Sequence, residues 1–399
     1  MEVVAPARFA LCDVVGSLML RCVSPHVQTI IAEVIRRTGK AKPAAAALRE
    51  VLKQRNLPPD DATAVAKTVF IYYRWHDWLQ EQRGIKARIA LALRLDERFR
   101  RDPGSIPLSE LRAKTAPAWT AQCLDVSDEW LLSLQREPNL WLRARPGQAV
   151  RLAAKLTGAE ITSLMPDALL YRGKQDLFKT PEFQAGEFEI QDLSSQLVGR
   201  LCAPAPGETW WDTCAGEGGK TLLLSDLMQN KGLIWASDRA HWRLEHLKRR
   251  AARAQMFNYR LAAWDGGPRL PTKAKFDGVL VDAPCSCIGT WGRDPHARQI
   301  TMMNDVRELS AIQRQMLTHV APSVKPGGKL VFAVCTLSHA ETTQTVELFN
   351  ASQPDFEPLI FPDIPIRHRT VSGASSVMVW PSDLDANGMF IAAWRRKNS

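Results

Sequence analysis

The sequence predicts an α/β fold in its C-terminal half, preceded by a small α+β module and a helical N-terminal domain. From Gln191 onward, short apolar runs alternate with helix-length segments, which is typical of a parallel sheet covered by helices on both faces. Toward the N-terminus, apolar side chains instead recur every three or four positions, as they do in amphipathic helices. We therefore expect a helical domain in residues 1–105, a linker and small α+β module in 106–190, and the α/β domain in 191–399.

Helices are expected throughout the N-terminal domain. One runs through Val27–Ile35 and another through Ala44–Leu52. A third follows the break at Asn56–Asp61, capped by one of the two aspartates that end this break. The apolar stretch Phe9–Leu20 carries Asp13 and lacks a basic segment before it, so we expect a core helix rather than a signal peptide. A basic RNA-binding module and a packing appendage with a solvated charged face both stay open for this domain.

The helices and strands of the other two regions are predicted from the length and apolar pattern of each segment. In the α+β module, we predict helices at Glu129–Gln135 and near Val150–Leu156, and extended pieces at Leu140–Arg143, around Ala168–Tyr171 and at Phe188–Ile190. In the α/β domain, the predicted strands are Thr209–Asp212, Gly232–Ser237, Asn258–Ala262, Gly278–Val281, Lys329–Val334 and Met389–Trp394, with helices such as Lys220–Gln229 and Trp242–Ala254 between them.

Composition limits the functional classes. A formal net charge of +10 favours a polyanionic partner, with nucleic acid slightly ahead of an anionic membrane surface. Eight cysteines without the dense spacing of a disulfide scaffold fit a reducing, cytoplasmic compartment. No run of about 20 apolar residues predicts a membrane span. We expect no metal either, because Cys285 and Cys287 have no second Cys or His pair to complete four ligands.

A glycine-rich turn follows the first strand of the predicted sheet. Its residues are Cys214, Ala215, Gly216, Glu217, Gly218, Gly219 and Lys220. Such a turn between a strand and a helix lets a ligand lie against bare backbone, and its spacing is not that of a phosphate-binding P-loop. Glycines also serve ordinary tight turns, so these residues become candidate cofactor contacts only in the context of the other strand ends.

Acidic residues supply that context at the same edge of the sheet. Asp238 ends the second strand, 22 residues after Gly216, where an acid can accept both hydroxyls of a ribose. Asp265 follows the third strand and is expected at an adenine edge, Asp282 ends the fourth, and Arg243 is a further candidate contact. Each acid alone is more often a helix cap or turn former. Together they favour a nucleoside cofactor without phosphate, S-adenosylmethionine, over a nicotinamide dinucleotide, whose usual Gly-x-Gly-x-x-Gly turn is absent.

Two cysteines follow neighbouring strands and suit one reaction. Cys285 lies just after Asp282, and Cys335 follows the fifth strand. Carbon 5 of cytosine accepts a methyl group from a sulfonium only after a thiolate has added at carbon 6. A hydrogen bond or proton at ring nitrogen 3, supplied by Asp282, favours that addition, and a base then removes the carbon 5 proton. Neighbouring strands lie about 4.8 Å apart, so the two cysteines are expected within reach of each other.

The glycine-rich turn and the segments that carry Cys285 and Cys335 resemble those of the RNA 5-methylcytosine methyltransferases of the Sun/Fmu type, which include bacterial ribosomal RNA enzymes. The resemblance implies a Rossmann-like class I methyltransferase sheet, S-adenosylmethionine as cofactor, Cys335 as nucleophile and Cys285 as the residue that assists release of the methylated product. More weakly, the N-terminal helices resemble the antitermination-factor-like module of bacterial members. The matching segments are Trp141–Arg143, Glu189–Gln196, the glycine-rich turn, Asp282–Ser286, Arg293–Pro295, Leu309, Gln313, Lys325–Gly328, Cys335–Leu337 and Glu341.

The chain departs from this family in three motifs. Ala-Ala-Pro-Gly-Gly of the family is replaced by Ala215–Gly219, with Glu217 in place of the proline. The usual Thr-Cys-Ser is Val334–Thr336, and the usual Glu-Asn-Glu is Glu341–Thr343. Outside these motifs, Cys287 is expected to be structural, and the same expectation competes with a cofactor contact for Cys214.

RNA contacts are expected after the Pro-Cys segment. Arg293 and Arg298, with Trp291, would offer phosphate contacts and a stacking plane, although Trp291 is as well explained as a packed loop residue. We expect a monomer that methylates a flipped or single-stranded cytosine in ribosomal RNA. Transfer RNA methylation, DNA cytosine-5 methylation and a non-catalytic RNA-binding assembly factor are the alternatives. Further candidate phosphate contacts are Lys42, Arg98, Arg100, Arg101, Arg249, Arg250 and Arg253.

Overall fold

The computed structural model describes residues 24–367 and 369–398, so the predicted Phe9–Leu20 helix lies outside the described residues, as do Cys12 and Cys22. The described α-helices are α1 (Pro25–Arg37), α2 (Ala44–Arg55), α3 (Pro59–Arg74), α4 (Ile85–Arg101), α5 (Leu108–Lys114), α6 (Asp128–Gln135), α7 (Ala149–Lys155), α8 (Pro181–Gln184), α9 (Leu193–Cys202), α10 (Gly219–Leu227), α11 (His241–Arg253), α12 (Pro295–Ile300), α13 (Met303–Val320), α14 (Thr343–Ser352) and α15 (Pro381–Leu384). The described strands are β1 (Leu140–Ala144), β2 (Ala159–Ile161), β3 (Ala168–Tyr171), β4 (Phe188–Ile190), β5 (Thr209–Asp212), β6 (Leu233–Asp238), β7 (Tyr259–Ala263), β8 (Phe276–Asp282), β9 (Val324–Val334), β10 (Phe356–Pro358), β11 (Ile364–Ile366), β12 (Arg369–Val371), β13 (Ser376–Val379) and β14 (Met389–Arg396).

These elements form two compact units. A helical unit extends to Pro138 and takes in Thr290–Met302, and an α/β unit contains Asn139–Gly289 and Met303–Ser399. The division into residues 1–105, 106–190 and 191–399 stays a prediction. None of the described helices is both long and apolar enough to cross a membrane.

The helical unit is built from amphipathic helices. α1 buries an apolar stripe from Val27 to Val34, as the three-four spacing predicts. α3 begins after Pro58 rather than being capped by Asp60 or Asp61, so the predicted cap was wrong. The two aspartates lie in the first turn instead, where a negative charge suits the positive end of the helix dipole.

Two residues expected to contact RNA are buried in this helical unit. Trp291 is fully buried, and its ring centroid lies 6.0 Å from that of Trp119 and 6.3 Å from that of Trp130. Arg298 is also buried and donates from Nη2 to the Arg74 carbonyl at 2.6 Å. Burial lowers the pKa of Arg298 to about 10. Trp291 is therefore the packed residue that the sequence left open as an alternative. The predicted RNA contact was wrong for Arg298, because this side chain is buried and bonds to backbone.

The main sheet of the α/β unit confirms the predicted fold class. Its path is β10-β14-β9-β8-β5-β6-β7, with β13 also paired to β14. β5 to β9 are parallel to their neighbours in this order, and β14 is antiparallel to β9. Chain order reverses between β5 and β8, and open α/β sheets bind ligands in the crevice at such a point, beyond the carboxyl ends of the strands.

The strands of this sheet pack closely enough to restrict side-chain size. Gly278 of β8 lies beside Trp210 of β5, and a Cβ on Gly278 would stand 2.3 Å from the Trp210 ring. Glycine is therefore required there to admit the indole between two central strands. A separate four-stranded antiparallel sheet, in the order β2-β3-β1-β4, lies together with α7 and α8 in the segment before β5.

Candidate active site

The glycine-rich loop joins β5 to α10. Gly216 and Gly218 adopt left-handed backbone, with φ of 55° and 89°, which glycine adopts without strain. A Cβ on Gly218 would also stand 2.6 Å from Leu247 Cγ. The Ala215 amide donates to the Ser237 carbonyl at 2.8 Å. The loop therefore needs glycine for its shape and is attached to the end of β6.

Asp238, at the end of β6, is buried against this loop. Its carboxylate accepts the Gly216 amide at 3.1 Å and the Ala240 amide at 2.8 Å. Nη1 of Arg243 lies 3.7 Å from the same carboxylate. The acid predicted to bind ribose is thus fixed in place by the loop predicted to hold the cofactor.

Asp265 lies in the loop after β7 and is exposed. Its carboxylate accepts the Gly267 amide at 2.9 Å, a local bond typical of aspartate in turns. Trp264 closes the same loop by donating from Nε1 to the Gly267 carbonyl at 3.0 Å. Asp265 therefore shapes its own loop, and its contact with adenine stays a prediction.

Asp282, at the end of β8, forms an ion pair with Lys220 of the glycine-rich loop. The Lys220 Nζ lies 2.8 Å from the Asp282 Oδ2, and the Lys220 side chain is only 5% exposed. This contact joins two candidate residues from different strand ends. Because the loop's lysine is bound to a carboxylate, the loop suits a ligand portion that carries no phosphate.

The two candidate catalytic cysteines lie side by side. β8 and β9 run parallel, with Asp282 in register with Ala333. The loops that follow place the Cys285 and Cys335 Sγ atoms 3.3 Å apart, and both residues are partly exposed. At Cys335, the hydrogen bond to Cys285 lowers the pKa, but the one to Cys287 and burial outweigh it and raise the pKa to about 12.

Cys287 joins this pair, although the sequence indicated only a structural role. Its Sγ lies 3.7 Å from the Cys335 Sγ and 3.3 Å from the Cys285 carbonyl oxygen. Its φ is 58°, a left-handed value that is uncommon for residues other than glycine. The Cys-x-Cys spacing was visible in the sequence, but the third sulfur comes from a separate strand.

A buried carboxylate holds the two cysteine loops together. Glu341 is fully buried and accepts the Ser286 amide at 2.8 Å and the Ser286 hydroxyl at 2.5 Å. It also accepts the Thr336 hydroxyl at 3.1 Å, the Ser338 hydroxyl at 2.9 Å and the Gln313 amide at 3.0 Å. Burial raises the pKa of Glu341, although hydrogen bonds from Ser286 and other donors oppose the shift.

The departures from the family motifs are accommodated locally. The fully buried Thr342 donates its hydroxyl to the Ser338 carbonyl at 2.7 Å. At the cofactor loop, the Glu217 carbonyl accepts Nη1 of Arg250 at 2.9 Å. Both loops therefore keep a hydrogen bond at the residue that departs from the family.

Arg250 also connects the loop to the small sheet. Its Nη2 donates to the Glu189 carboxylate at 3.0 Å, and Arg253 donates to the same group at 2.6 Å. Burial raises the pKa of Glu189, but the nearby charges of Arg250 and Arg253 outweigh it and lower the pKa. Glu189 binds the guanidinium groups of both arginines, and their contacts with phosphate stay predictions.

Comparison with known proteins identifies related sequences. Residues 200–395 match the family model described as 16S rRNA methyltransferase RsmB/F. Over 252 residues, the chain is 33% identical to the probable ribosomal RNA small subunit methyltransferase B of Bacillus subtilis (strain 168). This match covers 62% of the present chain and 56% of that protein, so the chain spans little more than half the length of this relative.

Solved structures share the fold. The crystal structure of PH0851 has a TM-score of 0.75 at 22% identity and covers 94% of this chain and 99% of that one. The structure of NSun6 from Pyrococcus horikoshii with SFG has a TM-score of 0.50 at 25% identity, covering 59% of this chain and 60% of that one. With the sheet order and the family match, these likenesses confirm the predicted Rossmann-like methyltransferase fold.

Proposed function

We propose that this chain methylates carbon 5 of a cytosine in ribosomal RNA, with S-adenosylmethionine as methyl donor, since residues 200–395 match the family model described as 16S rRNA methyltransferase RsmB/F. The observation that carries the proposal is the 3.3 Å approach of the Cys285 and Cys335 sulfur atoms. They lie beyond adjacent parallel strands of the sheet that also carries the glycine-rich loop. Ordinary core cysteines need no such pairing next to a ligand crevice.

The cofactor residues fit a nucleoside that carries a sulfonium rather than a phosphate. Left-handed glycines keep side chains off the loop at Gly216 and Gly218, and Asp238 offers a carboxylate at the end of β6. Lys220 is bound to Asp282 rather than set to receive a phosphate. When bound, S-adenosylmethionine supplies an electrophilic methyl group. The further proposed contacts are Cys214, Ala215, Glu217, Gly219, Arg243 and Asp265.

The reaction uses the two thiols in sequence. The Cys335 sulfur forms a bond to carbon 6 as its S–H bond breaks, and the electron pair of the carbon 5–carbon 6 double bond makes carbon 5 nucleophilic toward the methyl group. Asp282, oriented by Lys220, takes up the proton that the Cys335 thiol loses and donates it to ring nitrogen 3, which favours this addition. A base then removes the carbon 5 proton, the double bond re-forms and the Cys335 thiolate leaves, a release that Cys285 assists.

Substitution of each cysteine tests the proposal. We expect Cys285→Ala to accumulate a covalent RNA adduct, because addition by Cys335 proceeds while release is impaired. Cys335→Ala should form no adduct, because it lacks the nucleophile. Denaturing gel electrophoresis with labelled ribosomal RNA measures both outcomes, and Cys202→Ala, a buried cysteine of α9, serves as the control.

The reverse pattern would overturn this assignment. An adduct that persists in Cys335→Ala and disappears in Cys285→Ala would make Cys285 the nucleophile, as in DNA cytosine-5 methylation. Methyl transfer to transfer RNA alone would keep the chemistry and replace the substrate. RNA binding without adduct or methyl transfer in any variant would favour the assembly-factor alternative.

A further inference from the structure

The third cysteine of the candidate site occupies an unfavourable backbone conformation. Cys287 has a φ of 58°, where the Cβ of an L-residue crowds the backbone and glycine does not. Such outliers persist where the surrounding structure fixes them, and they cluster at functional sites. The conformation brings the Cys287 Sγ to 3.7 Å from the Cys335 Sγ. The proposed methyl transfer uses two thiols and gives this one no role.

The three sulfur atoms have the spacing of a metal-binding site. Cys285 and Cys335 lie 3.3 Å apart, Cys335 and Cys287 lie 3.7 Å apart, and all three sulfurs lie within 4.8 Å of one another. Zinc–thiolate bonds of about 2.3 Å place the sulfurs of a three- or four-coordinate site about 3.8–4.0 Å apart. The Cys335–Cys287 separation already lies close to this range, and a widening of about half an ångström brings Cys285 and Cys335 to it.

We propose that Cys285, Cys287 and Cys335 together bind one soft, thiophilic metal ion of the Zn²⁺, Cd²⁺ or Cu⁺ class. Three metal–sulfur bonds form as three S–H bonds break, and the protons pass to solvent. Soft thiolate ligands select such ions over Mg²⁺ or Ca²⁺. The sequence suggested no metal because Cys285 and Cys287 lacked a second pair nearby, and Cys335 supplies the missing sulfur from β9.

The cluster differs from a structural zinc site in ways that define its role. It contains three sulfurs rather than the four of a closed site, and Cys285 and Cys335 are partly exposed. The ion therefore binds reversibly and keeps an open coordination position. Resting on the proposed function, the consequence is inhibition, since a Cys335 sulfur bound to metal cannot attack carbon 6.

A direct binding measurement tests the site independently of catalysis. The full chain, reduced and stripped of metal, is titrated with Cd²⁺ while the ultraviolet cadmium–thiolate absorption and proton release are followed. We expect one tight equivalent. Cys287→Gly should weaken it by more than the roughly 10–100-fold cost of losing an outer-sphere partner, because a direct ligand is lost. Cys123→Ser, outside the cluster, should bind as the unaltered chain does.

Cys287→Gly removes the thiol without straining the backbone, because glycine adopts a φ of 58° readily. It should fold normally, and Zn²⁺ concentrations that inhibit the unaltered chain should leave its methylation rate close to the rate that the same variant shows without metal. Cys287→Ser, which keeps the side-chain size, should also bind Cd²⁺ weakly. Circular dichroism of both variants checks their folding.

Other outcomes overturn the proposal. Unchanged Cd²⁺ affinity in both Cys287 variants, or no thiolate absorption in the unaltered chain, would exclude the three-sulfur site. Loss of two mass units per chain without bound metal would show a disulfide instead. If Cd²⁺ binds as expected but no RNA is methylated, the metal site stands and the proposed function fails.

Discussion

At the scale of single residues, the buried carboxylate of Glu341 determines how the two cysteine loops meet. Its carboxylate oxygens accept hydrogen bonds from Ser286 in the Cys285 loop and from Thr336 and Ser338 in the Cys335 loop. The donors from both loops bond to this one carboxylate, so the spacing of the two thiols depends on Glu341. We infer that Glu341 is a positioning residue for the pair.

We expect Glu341→Gln to destabilise the protein and to slow methyl transfer. The amide replaces one acceptor oxygen with a donor that faces other donors, and an unsatisfied buried polar group costs about 1–3 kcal/mol. Urea unfolding should show this loss, while steady-state kinetics should show a larger fall in kcat than rise in the cofactor KM. The exposed Glu347→Gln in α14 is the matched control. Equal stability and equal kcat in the two variants would contradict the positioning role.

At the scale of elements, α11 links the small antiparallel sheet to the cofactor loop. Arg250 of α11 bonds to Glu189 of β4 and to the Glu217 carbonyl. Glu189 is 2% exposed and holds Arg253 as well. Removing one partner from such a network leaves buried charge uncompensated, which costs far more than the loss of an exposed pair.

We therefore expect Glu189→Gln to lower the free energy of unfolding by roughly 3–5 kcal/mol. The neighbouring Glu187→Gln breaks a pair with Lys155 whose two side chains are about one-third exposed, and should cost under about 1 kcal/mol. Denaturant unfolding of the two variants gives the comparison. Calorimetry should also show weaker S-adenosylmethionine binding in Glu189→Gln, since the Glu217 loop loses part of its anchor. A similar loss of unfolding free energy in both variants would show that the bonds of Glu189 to Arg250 and Arg253 do not stabilise the protein.

Elements of the sheet and its strand ends could be predicted from sequence, because buried parallel strands are near-continuous apolar runs whose ends meet at one edge. This places Asp238, Asp282, Cys285 and Cys335 correctly relative to the sheet. The partners of Arg250 and Arg298 could not be predicted, because a charge pattern does not identify a buried acceptor supplied by a distant segment. The left-handed backbone of Cys287 was equally invisible, since cysteine carries no preference for it.

At the scale of the whole molecule, a net charge of +10 suits a partner as anionic as RNA, but charge contacts to phosphate carry no sequence information. In the proposed reaction, selection of one cytosine would come from protein contacts with the RNA around the flipped base. The proposed assignment of ribosomal RNA as substrate is therefore best tested on total cellular RNA. Substitutions within the active site report on chemistry and leave the target unidentified.

We expect bisulfite sequencing of total RNA to reveal a small-subunit ribosomal cytosine that is protected in cells with this protein and converted in cells without it. The reason is that a 5-methyl group slows bisulfite deamination, so a lost methyl group is read as a converted base. Re-expression of the unaltered chain should restore protection, whereas Cys335→Ala should not, because no carbon 6 adduct can form. A position lost only in transfer RNA would redirect the substrate assignment. Restoration by Cys335→Ala would exclude Cys335 as the nucleophile.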